Sequence, residues 1–136
     1  MTSAVNLLFP YAVTTRDVTV RVAVSFLPEQ SDPAAGRWFW TYHVRLENGG
    51  DQPVRLISRH WIIVDARGGQ NEVRGAGVVG EQPVIAPGET FDYVSGCPLS
   101  TATGYMSGSY RMVLDDGTAF DAIIPRFSLV GPLVTP

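Results

Sequence analysis

Gly75-Ala76-Gly77-Val78-Val79-Gly80 spells G-x-G-x-x-G. In a dinucleotide-binding domain that spacing brings a tight glycine turn and a helix N-terminus up to a pyrophosphate. The chemistry needs a strand before the motif and a helix after it. Here Glu81-Gln82-Pro83 follows, then Pro87-Gly88, and prolines at this spacing leave no segment able to form the helix. A Rossmann site is set aside on that ground. The plain expectation is a glycine-rich crossing between sheets, where backbones approach closely. A second reading stays open, in which successive backbone N–H groups form an anion-binding nest and Arg74 adds charge.

The other chemistry-bearing residues are thinly spread. His43 and His60 fall in different alternating segments. Zinc needs three or four ligands, so no metal ligand is assigned. Asp65, Glu72, Asp92, Asp115 and Asp116 would suit a hard cation, but most fall in turns, where acids are common. Cys97, the single cysteine, sits in Ser95-Gly96-Cys97-Pro98 without a neighbouring base. It reads as a small buried hydrophobe rather than a nucleophile. G-x-S-x-G, H-E-x-x-H and P-loop patterns are absent from the sequence. No catalytic residue and no cofactor is assigned.

The elements around these residues alternate with period two. Val18, Val20, Val22 and Val24 face one way, with Thr19, Arg21, Ala23 and Ser25 opposite, as in a strand with one buried side. Trp38, Trp40, Tyr42, Val44 and Leu46 repeat the pattern, and Phe39 on the other face marks a possible contact surface. Residues 54–65 begin with alternation and turn apolar on both faces at Trp61-Ile62-Ile63-Val64. There His60 shares a face with Ser58 and Ile62, while Arg59 and Trp61 point the other way. The pattern predicts strands near residues 17–26, 37–47, 54–65, 90–95, 105–114 and 118–126, with a short one near 71–74. Val20, Val22, Trp40, Tyr42, Val44 and Ile62 are expected in the core. Asn48-Gly49-Gly50-Asp51, Arg67-Gly68-Gly69 and Pro87-Gly88-Glu89 supply turn residues, and Asp116-Gly117 is a strong hairpin signal. The first fifteen or so residues and residues 131–136 read as loosely attached ends.

So many short strands in one chain imply an all-β, two-sheet antiparallel sandwich of immunoglobulin-like or fibronectin III-like type, with an antiparallel barrel as the runner-up. The chain has 136 residues and 45% apolar content, enough for one core without disulfides. Ten Lys plus Arg against thirteen Asp plus Glu leave a net charge of −3, and the scattered arginines disfavour a nucleic-acid partner. The longest strongly apolar run is too short to cross a bilayer. The apolar stretch of residues 4–13 precedes the first basic residue, Arg16, so it lacks the n-region of a signal peptide. A cytoplasmic location and no membrane contact are expected.

Several segments taken together resemble one family. Ser58-Arg59-His60-Trp61-Ile62-Ile63 leads to Glu72-Val73-Arg74-Gly75-Ala76-Gly77-Val78-Val79-Gly80-Glu81-Gln82-Pro83. Ile85-Ala86-Pro87-Gly88-Glu89-Thr90-Phe91-Asp92-Tyr93, Gly104-Tyr105-Met106-Ser107-Gly108-Ser109-Tyr110 and Ile124-Pro125-Arg126-Phe127 follow in order. This wording resembles the ApaG family, also called CorD, over residues 12–134, with residues 1–11 as an N-terminal extension. The resemblance implies a fibronectin III-like or immunoglobulin-like sandwich, association with cobalt resistance and magnesium efflux, and no enzymatic reaction. Related domains in some F-box proteins and in a DNA-polymerase-interacting protein imply a protein-interaction module. Cys97 stands where the family leads one to expect Thr or Ala, and the N-terminal extension is longer than expected. The resulting expectation is a non-enzymatic binding domain that affects divalent-cation (Co2+/Mg2+) homeostasis through a protein partner or a small anionic ligand. The candidate ligand-binding residues are Arg74, Gly75, Gly77 and Gly80, on the loop 74–82 that a rigid sandwich would position, with His60 and Glu72 flanking it. The alternative is a nucleotide- or pyrophosphate-binding hydrolase that uses the glycine-rich loop and would need carboxylates converging on it.

Overall fold

The structure is a computed structural model that describes residues 8–132. Its strands are β1 (Tyr11–Thr15), β2 (Val18–Phe26), β3 (Trp38–Asn48), β4 (Val54–Asp65), β5 (Gln70–Ala76), β6 (Val84–Ile85), β7 (Thr90–Leu99), β8 (Thr103–Leu114) and β9 (Ala119–Val130). One sheet has the order β1-β2-β3-β7, the other β5-β4-β8-β9 with β6 beside β4. Every pairing is antiparallel. The expected sandwich is present.

The core lies between the sheets and follows the alternation. Val20, Val22, Trp40, Tyr42 and Val44 are buried, as expected. Ring pairs carry the packing across the gap: Tyr42 has its centroid 5.2 Å from that of Trp61 and 6.0 Å from that of Phe127. Such aromatic pairs add to the area they bury because edge and face charges attract.

Three expectations need correction. Residues 11–15 are not a loose end. They form β1, joined to β2 by Arg16 and Asp17, both with positive φ (46° and 68°), a two-residue hairpin built without glycine. Residues 1–7 and 133–136 lie outside the described residues, but Gly131 is buried and its N–H donates to the Ala102 carbonyl at 2.7 Å. Ile62 is only half-buried, whereas Trp61 is core. A bulge between Leu56 and Ser58 in the β4–β8 ladder is the cause. One extra residue shifts which alternate side chains face inward. Val54 and Leu56 face the core before it, and Arg59 and Trp61 turn inward after it.

The two long sides of the sandwich differ. On one, β9 packs over β1 and β2, with Tyr11 and Phe127 rings 5.9 Å apart and the Ile123 N–H donating to Thr15 Oγ1 at 3.2 Å. On the other, the outer strands β5 and β7 do not pair with each other. A mouth between the sheets results.

Candidate functional site

Arg59 lies in that mouth. It follows the bulge and precedes Trp61, and it lines the opening together with Tyr42 and Trp61. Its Nη1 donates to the Ala76 carbonyl at 3.0 Å and the Gly77 carbonyl at 2.9 Å. The guanidinium lies across Gly75, where a Cβ would come within 2.9 Å of it. Among the described residues no carboxylate pairs with Arg59, although five other arginines have such partners. Two hollows share Tyr42, Arg59, Trp61 and Ser95 as walls. One, of about 510 Å³, extends along Ile63, Val73 and Met106, and the other, of about 230 Å³, toward Val79 and Tyr93.

The groove's phenols stay neutral. Burial pushes Tyr42 up, only partly offset by a hydrogen bond from Ser95 and by the positive charge of Arg59. Burial also pushes Tyr93 and Tyr110 far up, and their hydroxyls are hydrogen-bonded to each other. The site therefore offers hydroxyl donors, aromatic walls and one cation held by backbone carbonyls. That arrangement suits an anionic group.

The expected loop divides into two parts. Each of its glycines has a local structural reason. Gly75 leaves the path for the Arg59 guanidinium. Gly77 has φ +61°, and a Cβ there would meet the Glu81 carbonyl oxygen at 2.0 Å. Val79 (φ 43°) and Gly80 (φ 80°) form a two-residue turn closed by Val78 N–H to Glu81 O (2.8 Å) and Glu81 N–H to Val78 O (2.9 Å). Positive φ at both positions is the conformation that matches the twist of a hairpin. The Gly77 N–H donates to the Ile57 carbonyl at 2.9 Å, so the amides of Gly77 and Val78 are both engaged within the fold. A hairpin stands where a Rossmann helix would begin.

His60, Glu72 and Arg74 come together elsewhere, on the outer face of the five-stranded sheet. His60 Nε2 is 3.4 Å and Arg74 Nη2 3.9 Å from the two Glu72 oxygens. Ser109, Arg111 and Asp121 continue this polar face. The Glu72 carboxylate is thus engaged by a histidine and an arginine. Arg59, Tyr42, Tyr93 and Ser95 were not among the expected site residues. The signal for Arg59 was its parity with Trp61: a cation on the side of a core tryptophan needs an explanation.

Cys97 is buried beside the larger hollow, and burial pushes its thiol up to about 11. At pH 8 its thiolate fraction falls about a hundredfold below that of a thiol at the ordinary value of 9.0. Alkylation by iodoacetamide at pH 8 is expected to be at least ~100-fold slower in native protein than in urea. Equal rates would contradict the burial. The Phe39 ring lies over Gly96 on the outer face of the first sheet, 2.4 Å from where a Cβ would stand. It covers the β7 backbone there.

Comparison with known proteins places these features. The ApaG domain matches residues 28–114. Protein ApaG of Bradyrhizobium sp. (strain ORS 278) is 57% identical over 122 residues, 90% of this chain and 94% of that protein. Protein ApaG of Rhodospirillum centenum is 52% identical over the same length. The crystal structure of the ApaA protein from Bordetella pertussis superposes with a TM-score of 0.84 at 49% identity, covering 87% of this chain and 96% of that one. The match runs along nearly the whole length of these relatives, and the chain belongs to the ApaG family.

Proposed function

We propose that this chain is a non-enzymatic binding domain that holds an anionic group of a small ligand or protein partner in the groove between its sheets, at Arg59. The observation that carries this reading is a cation inside an aromatic groove with no carboxylate partner among the described residues. An unpaired charge in a partly desolvated place is costly, and an incoming anion offsets that cost. The effect on cobalt and magnesium homeostasis that the family resemblance implies then runs through the resulting complex, since Arg59 repels a divalent cation. The hydrolase alternative gains no support, because the Glu72 carboxylate faces His60 and Arg74 on the other side of the sheet.

The test is an NMR titration with pyrophosphate at low and moderate salt. Wild type is expected to bind weakly, with an affinity that falls as salt screens the charge. Arg59→Gln is expected to lose about tenfold or more, the scale of a charge-assisted hydrogen bond. Arg74→Gln should bind like wild type. The opposite order would move the site to the outer face, with Arg74 and the glycine-rich loop.

A further inference from the structure

We infer that the groove's occupant is an extended acidic segment of a protein partner, added as a strand to the free edge of β7 with an Asp or Glu side chain on Arg59. This rests on the anion-binding reading above and goes further by naming the occupant's chemistry and its backbone register.

The register follows from the ladder. Phe39 O accepts from Leu27 N–H at 2.9 Å, and Phe39 N–H donates to Ser31 Oγ at 3.0 Å. Both backbone groups of Phe39 are therefore spent on the side away from β7. Phe39 stands opposite Pro98, so this pair makes no ladder bonds, and Pro98 has no N–H to give. Antiparallel ladders alternate bonded and non-bonded pairs. Gly96 and Val94, two and four residues before Pro98, therefore also turn their N–H and C=O groups toward the open edge. Between Tyr93 and Pro98 this edge carries no charge, and Val94 is 57% exposed.

The facing edge, β5, is guarded. Glu72 and Arg74 are exposed on it, and the Ala76 carbonyl is already capped by Arg59. Charges on an outer strand are the usual defence against pairing with another chain. The β7 edge lacks that defence beside the aromatic groove that holds Arg59. An added strand would gain main-chain hydrogen bonds from Val94 and Gly96 and place alternate side chains into the groove. Arg59, Trp61 and Ile63 stand at alternate positions along β4. The fitting sequence therefore has an acid opposite Arg59 and an apolar residue two positions away, opposite Trp61 or Ile63.

The experiment pans a random heptapeptide display library against the immobilised full chain, then measures the enriched peptides by fluorescence anisotropy. Enrichment of an acid with an apolar residue two positions away is expected. Replacing that acid by its amide should weaken binding about tenfold or more, as should Arg59→Gln. N-methylation of alternate peptide amides should abolish binding in one phase and spare it in the other. Amide exchange at Val94 and Gly96 should slow at least ~10-fold in the complex. Val94→Pro removes an edge donor that β3 does not use, so it should abolish peptide binding and leave pyrophosphate binding intact. Pyrophosphate binding that needs Arg59, with no peptide enriched or with N-methylation harmless, would overturn strand addition and keep the anion site. Peptides enriched without an acid, still dependent on Val94 but indifferent to Arg59→Gln, would overturn the anion reading and with it this inference. Dimerisation lost in Val94→Pro and competing with the peptide would assign the edge to a second copy and overturn it.

Discussion

Gly77→Val is expected to destabilise the domain by about 2–6 kcal/mol, more than substitution of either of its neighbours in the glycine-rich segment. Two costs combine. The backbone at Gly77 has φ +61°, where a β-branched residue costs about 1–3 kcal/mol. A Cβ there would also stand 2.0 Å from the Glu81 carbonyl oxygen, a backbone atom that cannot move without opening the hairpin, adding an overpacking cost of about 1–3 kcal/mol. Gly80 shares the left-handed conformation but faces open space, so Gly80→Ala should lose only about 1 kcal/mol. At Gly75 the atoms within 2.9 Å are the end of the Arg59 side chain, which can shift. Gly75→Ala should therefore change stability little while weakening pyrophosphate binding. Urea unfolding monitored by tryptophan fluorescence reads the first two, and the NMR titration reads the third. If the three substitutions cost alike in stability, the separate structural roles given to these glycines are wrong.

That ordering also shows how far the sequence reaches. The sandwich was legible because one face of each strand is buried, so Val18 to Val24 and Trp38 to Leu46 record their own orientation. The Asp116-Gly117 hairpin was legible because its turn needs residues that tolerate positive φ; the Thr118 N–H donates to Asp116 Oδ1 at 2.9 Å there. The β1 hairpin was not, because Arg16-Asp17 adopts the same backbone without the residues that normally announce it. Nor was the bulge near Ile57, since Leu56-Ile57-Ser58 contains no glycine or proline and the extra residue is defined only against β8. That one feature decides that Ile62 is half-buried and that Trp61 is core. The site was half legible. Parity put Arg59 with Trp61 and His60 with Ile62 on the opposite face, but with Ile62 expected in the core it did not mark the Arg59 side as the inner face. That this inner face opens between β5 and β7 depends on strand order, which pairs residues far apart in the chain and leaves no local trace.

The largest effect expected of any solution condition is alkaline unfolding. Cys97, Tyr42, Tyr93 and Tyr110 all ionise less readily when folded, with burial as the leading cause. The folded state thus holds protons that the unfolded chain releases near its ordinary values of 9.0 for the thiol and 10.0 for the phenols. Stability from this source is complete below pH 9 and is lost as pH rises toward the folded values, which begin with about 11 for Cys97. Each such group contributes a slope of up to about 1.4 kcal/mol per pH unit. The slopes add above pH 10, from Cys97 until about pH 11 and from the phenols beyond it, so stability is expected to fall steadily through this range. Tyr110→Phe tests the assignment to buried phenols. It leaves the Tyr93 hydroxyl without its partner, costing about 1–3 kcal/mol at pH 7, and should make the alkaline slope shallower by about one group's share. Urea unfolding at stepped pH, with phenolate absorbance followed in parallel, gives both quantities. Should the tyrosines of the folded protein titrate freely near pH 10 with no loss of stability, Tyr42, Tyr93 and Tyr110 are not sealed as the structure has them. The groove would then present negative phenolates to its ligand at that pH, and Arg59 would already have its counter-ions.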